Sequence, residues 1–375
     1  MPTAAVVYED ALSRHVLRPD HPMRPIRLSL TYELLNAYGA FDAGSSRLVK
    51  PREATEEEVA WLHTPNYIAA VRNLSLGLGG YDLHQYGFSP GGDNPIYTGM
   101  YEAALLSTGA SLVAAELVAS KQVDVAFNIS GGLHHAAPDH ASGFCIFNDP
   151  IIAIKYLLVQ GWRVAYVDID AHHGDGVQDA FYDDDRVLTI SIHESGRFLF
   201  PGTGFTSETG TGAGQGYAVN LPLYPYTEDE LYLLTFREAA LPVIKAFRPD
   251  VLVTQLGIDS YHSDPLTHLQ VTSRGYIEVV KDFARLGIPW LALGGGGYDL
   301  SAVARCWSLA YGVMLDTDWP DQVPSDFAQQ YGLQRLRDDI TLDIPPHIRQ
   351  EARNLAEEGV GAIKKDVFPK HNLGG

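Results

Sequence analysis

Short apolar runs alternate with longer stretches of helical spacing along this chain. The runs are AAVVY (4–8), VDVAFNIS (123–130), RVAYVDID (163–170), VLTISIH (187–193), VLVTQLGID (251–259) and IPWLALGGGG (288–297). Each has strand length, and the alternation with helical segments predicts a parallel sheet covered by helices on both faces, an α/β fold. Between the first two runs, Leu106, Ala110, Val113 and Leu117 recur at helical spacing as one apolar stripe. Thr55 with Glu58, and Thr227 with Glu230, have the spacing of capping boxes that start two further helices. No repeat or linker divides residues 1 to about 315, after which DTDWPDQVPSDF breaks the pattern. The expectation is one domain over 1–375, with a core of about 5–315 and residues 316–375 as a helical and irregular appendage packed on it.

Composition narrows the function classes. The 46% hydrophobic content of 375 residues suffices for a large core, and 27 basic against 46 acidic side chains give a formal charge of −19. That charge opposes binding to a phosphate backbone, so no nucleic-acid partner is expected. The two cysteines, Cys145 and Cys306, have neither metal nor redox spacing, which predicts free thiols in a reducing compartment. The opening MPTAAVVYEDALSRH carries charge where a signal peptide needs an apolar core, and no later stretch reads as an eighteen-residue apolar span. A soluble, cytoplasmic protein without a membrane partner is the expectation.

Polar residues collect where the strands end: SGGLHH after 129, DIDAHHGD after 167, His193, Asp259, and GGGGY after 293. In open parallel sheets the ligand crevice lies outside the carboxyl ends of the strands, so these segments converge there. Asp168, Asp170 and His172 are spaced by two, which turns them to one side while the chain is extended. Unpaired buried charge is costly, so they hold a metal, another cation or one another; a metal-free Asp/His network is the plain alternative. Asp170, His172 and Asp259 together offer two carboxylates and one imidazole with a coordination position left open. That donor set suits zinc or another divalent ion acting on water, and the lack of thiolates argues against a closed structural zinc site.

His134 and His135 follow Ser-Gly-Gly at a strand end, where two adjacent rings read as chemistry rather than scaffold. Asp168 and Asp175 then serve as carboxylates that fix the tautomer of one ring each. Tyr298 after four glycines reads either as a packed tyrosine on a flexible loop or as a phenol that donates to a developing oxyanion. Phe144 and Phe200 neighbour glycines in loops at the same crevice, as core aromatics or as the walls of a narrow apolar channel. TGTGAGQGY (209–217) lacks the order and the Lys-Ser/Thr of a phosphate loop and reads as an irregular loop, while GGDNP (91–95) reads as a turn.

At these residues the chain resembles the histone deacetylase superfamily and, within it, the bacterial acetoin utilization deacetylases. The resemblance runs from about Val6 to Leu315 through HPMRPIRLSLTYELL, ATEEEVAWLHTPNYI, ISGGLHHAAPDHASGFCIFND, VAYVDIDAHHGDGVQDAFY, SIHESGRFLFPGTG, GIDSYHSDPL and LGGGGY. It implies the arginase/deacetylase fold, a three-layer α/β/α domain on a mainly parallel sheet. Asp170, His172 and Asp259 would hold one catalytic zinc, with iron(II) as the alternative ion. His134 would pair with Asp168 and His135 with Asp175, and Tyr298 would be the tyrosine that stabilises the transition state. Gly143, Phe144, Phe200 and Leu266 match the acyl-lysine channel, Asp93 the group that holds the substrate backbone, and Arg27 the arginine of the acetate exit. A structural potassium near Asp168, Asp170, His172 and Ser191 is also implied. The segment SYHSDPLTHLQ, which puts Tyr261, His262 and His268 at the rim, departs from the eukaryotic deacetylases.

The function so implied is zinc-dependent hydrolysis of N-acetyl-lysine amides on proteins, with acetyl-CoA synthetase as the kind of metabolic partner whose acetylation would be reversed. Hydrolysis of acetylated polyamines by the same machinery is the nearer alternative. A binuclear manganese ureohydrolase needs a carboxylate where this chain has Tyr261. An inactive acyl-lysine reader would have lost a ligand, a histidine or the tyrosine, and all are present.

Overall fold

The structure, a computed structural model, describes residues 2–42 and 44–374. Eight strands form one sheet: β1 (Ala4–Val7), β2 (Ser46–Val49), β3 (Val125–Asn128), β4 (Val164–Asp168), β5 (Val187–Glu194), β6 (Ala218–Leu223), β7 (Val251–Gln255) and β8 (Trp290–Leu293). All neighbouring pairs are parallel, in the order β2-β1-β3-β8-β7-β4-β5-β6. The six strands expected from the apolar runs are all present, and two edge strands join them.

Alternate residues of each central strand feed two cores. Val6, Phe127, Val167, Ile190 and Ala292 face one side, against Val279 and Trp307 of the helices Ser273–Ala284 and Leu300–Met314. Val7, Ala126, Tyr166, Val253 and Leu291 face the other, against the helices Met100–Ala119 and Asp149–Val159. Burial on both faces is why the runs are apolar at successive positions rather than at every second one.

The helix Met100–Ala119 is long and apolar enough to cross a membrane, which corrects the expectation that no such span exists. Its composition follows from burial nearly all round rather than along one stripe: Ala110, Ala114 and Val118 pack on the sheet, while Leu105 and Leu112 meet Tyr67 and Phe147 in a third cluster. Thr55 and Glu58 form the expected reciprocal capping box. Thr227 and Glu230 do not. The helix there is Asp229–Thr235, one residue later than a Thr227 cap requires, and the Thr227 hydroxyl donates to the Tyr224 carbonyl. After Leu315 the chain returns to the body of the molecule. Asp338 accepts from Arg305 at 2.7 Å and from the Tyr261 hydroxyl at 2.7 Å, and the helix Pro346–Asp366 buries Val360 and Ile363 in the first core.

Candidate active site

Strands β3, β8, β7 and β4 are the four central strands, and they end level: Asp168 pairs with Gln255, Gln255 with Leu293, and Leu293 with Asn128. Their carboxyl ends therefore release SGGLHH, DIDAHHGD, the Asp259 segment and the glycine run to one side, as the topology requires.

Asp170, His172 and Asp259 meet there with their ligand atoms within 4.8 Å of one another, all buried. The His172 Nδ1 lies 3.1 Å from Asp170 and 2.9 Å from Asp259. The backbone N–H of Ala171 donates to Asp259 at 2.7 Å, and that of Gly296 to Asp170 at 2.7 Å. Burial, with the adjacent Asp170 carboxylate, pushes Asp259 up to about 7. Two buried carboxylates that raise one another's cost of ionisation, with one imidazole beside them, form a donor set that fits a divalent ion. Among the described residues there is no second such cluster. Tyr261, where a ureohydrolase would place another carboxylate, is buried against Arg305 and Asp338 instead.

The two histidines stand beside this cluster with ring centroids 4.0 Å apart. His134 Nδ1 is 2.7 Å from Asp168, and His135 Nδ1 is 2.7 Å from Asp175. Each carboxylate thus accepts a hydrogen bond from Nδ1–H and leaves Nε2 to the site. Burial alone would lower His134, but the charges of Asp168 and Asp170 outweigh it and hold the ring up at about 9. Burial and the charge on His134 push His135 down to about 4. Two adjacent rings are thereby split into one that keeps a proton and one that is free to accept it.

Tyr298 lines the same pocket, and burial followed by the Asp259 and Asp170 charges keeps its phenol far above the usual range, so it remains a donor. The glycines before it are close-packed rather than flexible: a Cβ on Gly296 would stand 2.3 Å from Asp259. Phe144 meets the Tyr298 ring edge-on at 5.7 Å, and Phe200 meets His135 at 5.1 Å. Phe200 is 43% exposed, which fits a channel wall better than a core aromatic. Phe144 has φ +69°, a left-handed conformation that bulky residues rarely adopt and that clusters at functional sites. At Gly143 a Cβ would lie 2.4 Å from the His135 ring, so only glycine admits the loop so close.

Leu266 is half-buried in the loop after Asp259, and Asp93 is exposed on the loop 89–95. Arg27 is buried, donates to the Gly297 carbonyl at 3.1 Å and lies 5.2 Å over the Trp307 ring. It borders a 100 Å³ cavity that Leu106, Ser130, Leu133 and Phe144 also line, behind the pocket. Ser191 pairs in register with Asp168, and its hydroxyl is 2.8 Å from His193. His268 sits at the rim with its backbone N–H and ring on the buried carboxylate of Glu194, at 2.8 and 2.9 Å. A hollow of about 1020 Å³ lies elsewhere, near Trp290 and Trp319 at the amino ends of the strands.

Four positioning residues escaped the sequence reading. Gln255 donates to Asp170 at 2.6 Å, and Asp149 accepts from the backbone of Gly132 and Leu133. Asn148 donates to the His134 and Ala136 carbonyls, and Asp264 accepts from the backbone of Tyr298 and Leu266. Gln255 alone left a signal, as an amide closing an apolar strand; Asn148 and Asp149 begin a helix and Asp264 lies in a loop, each with partners distant in sequence.

The Histone deacetylase domain family matches residues 21–314, a span that contains every element of this pocket. The chain belongs to that family. It is 43% identical over 335 residues to the acetoin utilization protein AcuC of Bacillus subtilis (strain 168), covering 87% of this chain and 86% of that protein. It is 39% identical over 327 residues to Histone deacetylase 1 of Homo sapiens, covering 87% of this chain and 67% of the relative. A crystal structure of an HDAC homolog complexed with SAHA superposes with a TM-score of 0.86 at 30% identity, covering 96% of this chain and all of that one. The arginase/deacetylase fold and a deacetylase hydrolase activity follow from these matches; the family is metal-dependent, and the Asp170, His172 and Asp259 cluster could bind a metal ion.

Proposed function

We propose that this histone deacetylase family member hydrolyses N-acetyl-lysine amides on proteins with zinc, iron(II) being the alternative ion, and that acetylated metabolic enzymes such as acetyl-CoA synthetase are its substrates. The observation that carries the reading is the pairing of two His–Asp dyads of opposite proton affinity with a buried two-carboxylate, one-imidazole cluster, with Phe200 on His135 and Phe144 on Tyr298 beside it.

A divalent ion on Asp170, His172 and Asp259 supplies Lewis acidity to the amide carbonyl and acidity to a water. His135, neutral through burial, accepts the water proton at Nε2. His134, held as imidazolium by Asp168, offsets the negative charge that develops at the carbonyl. The Tyr298 phenol donates to the oxyanion on the tetrahedral carbon. His135 then passes its proton to the departing lysine amine, which releases acetate past Arg27. The edges of Phe144 and Phe200 admit a slim alkyl stem, which favours lysine over branched amines. A potassium ion beside Asp168 and Ser191 completes the proposal as a structural element.

Turnover compared on acetyl-lysine peptides, longer acyl-lysine peptides and acetylated polyamines, each with zinc, iron(II) and manganese, tests it. Acetate release from the acetyl-lysine peptide in the zinc enzyme is expected. Zinc-loaded protein that releases acetate from no peptide would overturn the reading.

A further inference from the structure

A group that meets the substrate backbone works only if the loop bearing it is held at a fixed angle to the channel. The Asp93 loop is closed on itself by Ser89 N–H to the Asn94 carbonyl at 3.0 Å and by the Asn94 amide to the Gly87 carbonyl at 3.1 Å. Those bonds fix its shape but not its orientation. Orientation comes from a segment over seventy residues earlier, which grips two successive carbonyls: Arg18 Nη1 donates to Gly92 O at 3.1 Å, and His21 Nε2 donates to Asp93 O at 3.1 Å.

The direction of the second bond is settled by the first nitrogen of the ring. The Met23 N–H donates to His21 Nδ1 at 3.0 Å, so Nδ1 carries no proton and Nε2 must. A carbonyl only accepts, and the neutral Nε2–H tautomer satisfies both ends. Burial, helped by the Arg18 charge, holds His21 below the usual imidazole range and keeps it neutral. The residue is only 2% exposed, which shields the bond from water, while the Asp93 side chain stays in solvent. The His21 ring also meets Phe144 edge-on at 4.6 Å. One imidazole therefore touches both Phe144 and the main chain of Asp93.

We infer that Arg18 and His21 are positioning residues: by holding the Asp93 loop beside Phe144 they set the angle at which Asp93, the residue the family resemblance assigns to the substrate backbone, meets a peptide, and so they favour peptide-borne acetyl-lysine over acetylated diamines. This rests on the function proposed above and deepens it. An acetylated diamine has no peptide backbone at that point, so it gains nothing from the clasp.

The test measures kcat/KM for an acetyl-lysine peptide and for N-acetylcadaverine, and takes their ratio. Loss of one orienting hydrogen bond should lower that ratio by about three- to tenfold in His21→Ala, through KM of the peptide. His21→Gln places an amide N–H near the Nε2 position and should restore the ratio to within twofold, whereas His21→Asn keeps only the acceptor for Met23 and should not. Arg18→Ala, which leaves the Phe144 contact alone, should lower the ratio in the same direction. The His21→Ala/Asp93→Ala double variant should lose no more than Asp93→Ala, because the two act as one unit. Equal losses on both substrates, additive losses in the double variant, or failure of Gln to outperform Asn would each overturn the inference. A wild-type enzyme that cleaves only the acetamide would instead overturn the proposed function, and the inference with it.

Discussion

Gly296→Ala adds one methyl group behind the acidic pair. Gly296 is not in the left-handed region, unlike Gly295 and Gly297 on either side, so alanine can adopt its backbone and the perturbation is steric. An ideal Cβ there stands 2.3 Å from Asp259 Oδ2 and 2.7 Å from Asp170 Oδ2, whereas ordinary contact begins at 3.4 Å. The Asp259 carboxylate must therefore retreat by about 1 Å, a displacement on the scale that costs on the order of 10²-fold in rate when it falls on a reacting centre. Retreat is opposed by the Ala171 N–H bond at 2.7 Å, so the strain is delivered to the ion-binding cluster. Metal content after dialysis and kcat/KM on a fluorogenic acetyl-lysine peptide are the readouts. The expected outcome is substoichiometric metal with kcat/KM down by about 10²-fold. Full metal occupancy with kcat/KM within twofold of wild type would refute the claim that these glycines exist to admit the carboxylates.

Tyr298→Phe removes one hydroxyl and keeps the backbone bond to Asp264; turnover should fall by about 10² to 10³ with metal content and melting temperature nearly constant. More than half of wild-type turnover would contradict the donor role. His134→Ala deletes a positive neighbour that, with burial, depresses His135 to about 4. The remaining ring then binds its proton more tightly, so the acidic limb of the kcat/KM–pH profile should move to higher pH; a limb that stays or moves down refutes the coupling. Phe200→Ala at a 43% exposed position should raise KM for the peptide while shifting the melting temperature by little, and a large thermal loss with constant KM would restore the core-packing reading.

The legible part of the fold was the part buried on both faces. β3, β4, β5, β7 and β8 show themselves as apolar runs because neither face meets water. β2 and β6 are the edges of the sheet, and their sequences say so in physical terms. Ser46–Val49 exposes Arg47 and Leu48, and Ala218–Leu223 carries Asn220 and Pro222, the latter tolerable at an edge where the missing N–H faces no partner strand. Site residues were legible where the chemistry is concentrated locally, as in Asp168, Asp170 and His172. Asp149, Asn148 and Asp264 were not, because each acts through backbone groups distant in sequence, and a side chain that bonds two such groups looks in sequence like any polar residue at a helix start or in a loop. The Thr227 box failed for a related reason: spacing records that two partners could meet, while the Tyr224 carbonyl was the nearer one.

The ion-binding cluster spans the β4–β7 seam. Asp170 and His172 follow β4, Asp259 follows β7, and the two segments, nearly ninety residues apart, are brought level by five parallel pairings from Val164–Val251 to Asp168–Gln255. No shorter piece of chain holds all three donors, so the site comes into being only when a late, long-range pairing is made. An ion that binds the finished site and not the open chain draws the folding equilibrium forward, by about 2.7 kcal/mol when its free concentration is a hundred times the dissociation constant. If the cluster binds its ion in this way, metal supply would help set how much of this protein escapes proteolysis before any substrate is met. In cells starved of the ion, loss of activity should outrun loss of bound metal per molecule, because the molecules that never closed the seam are the ones degraded.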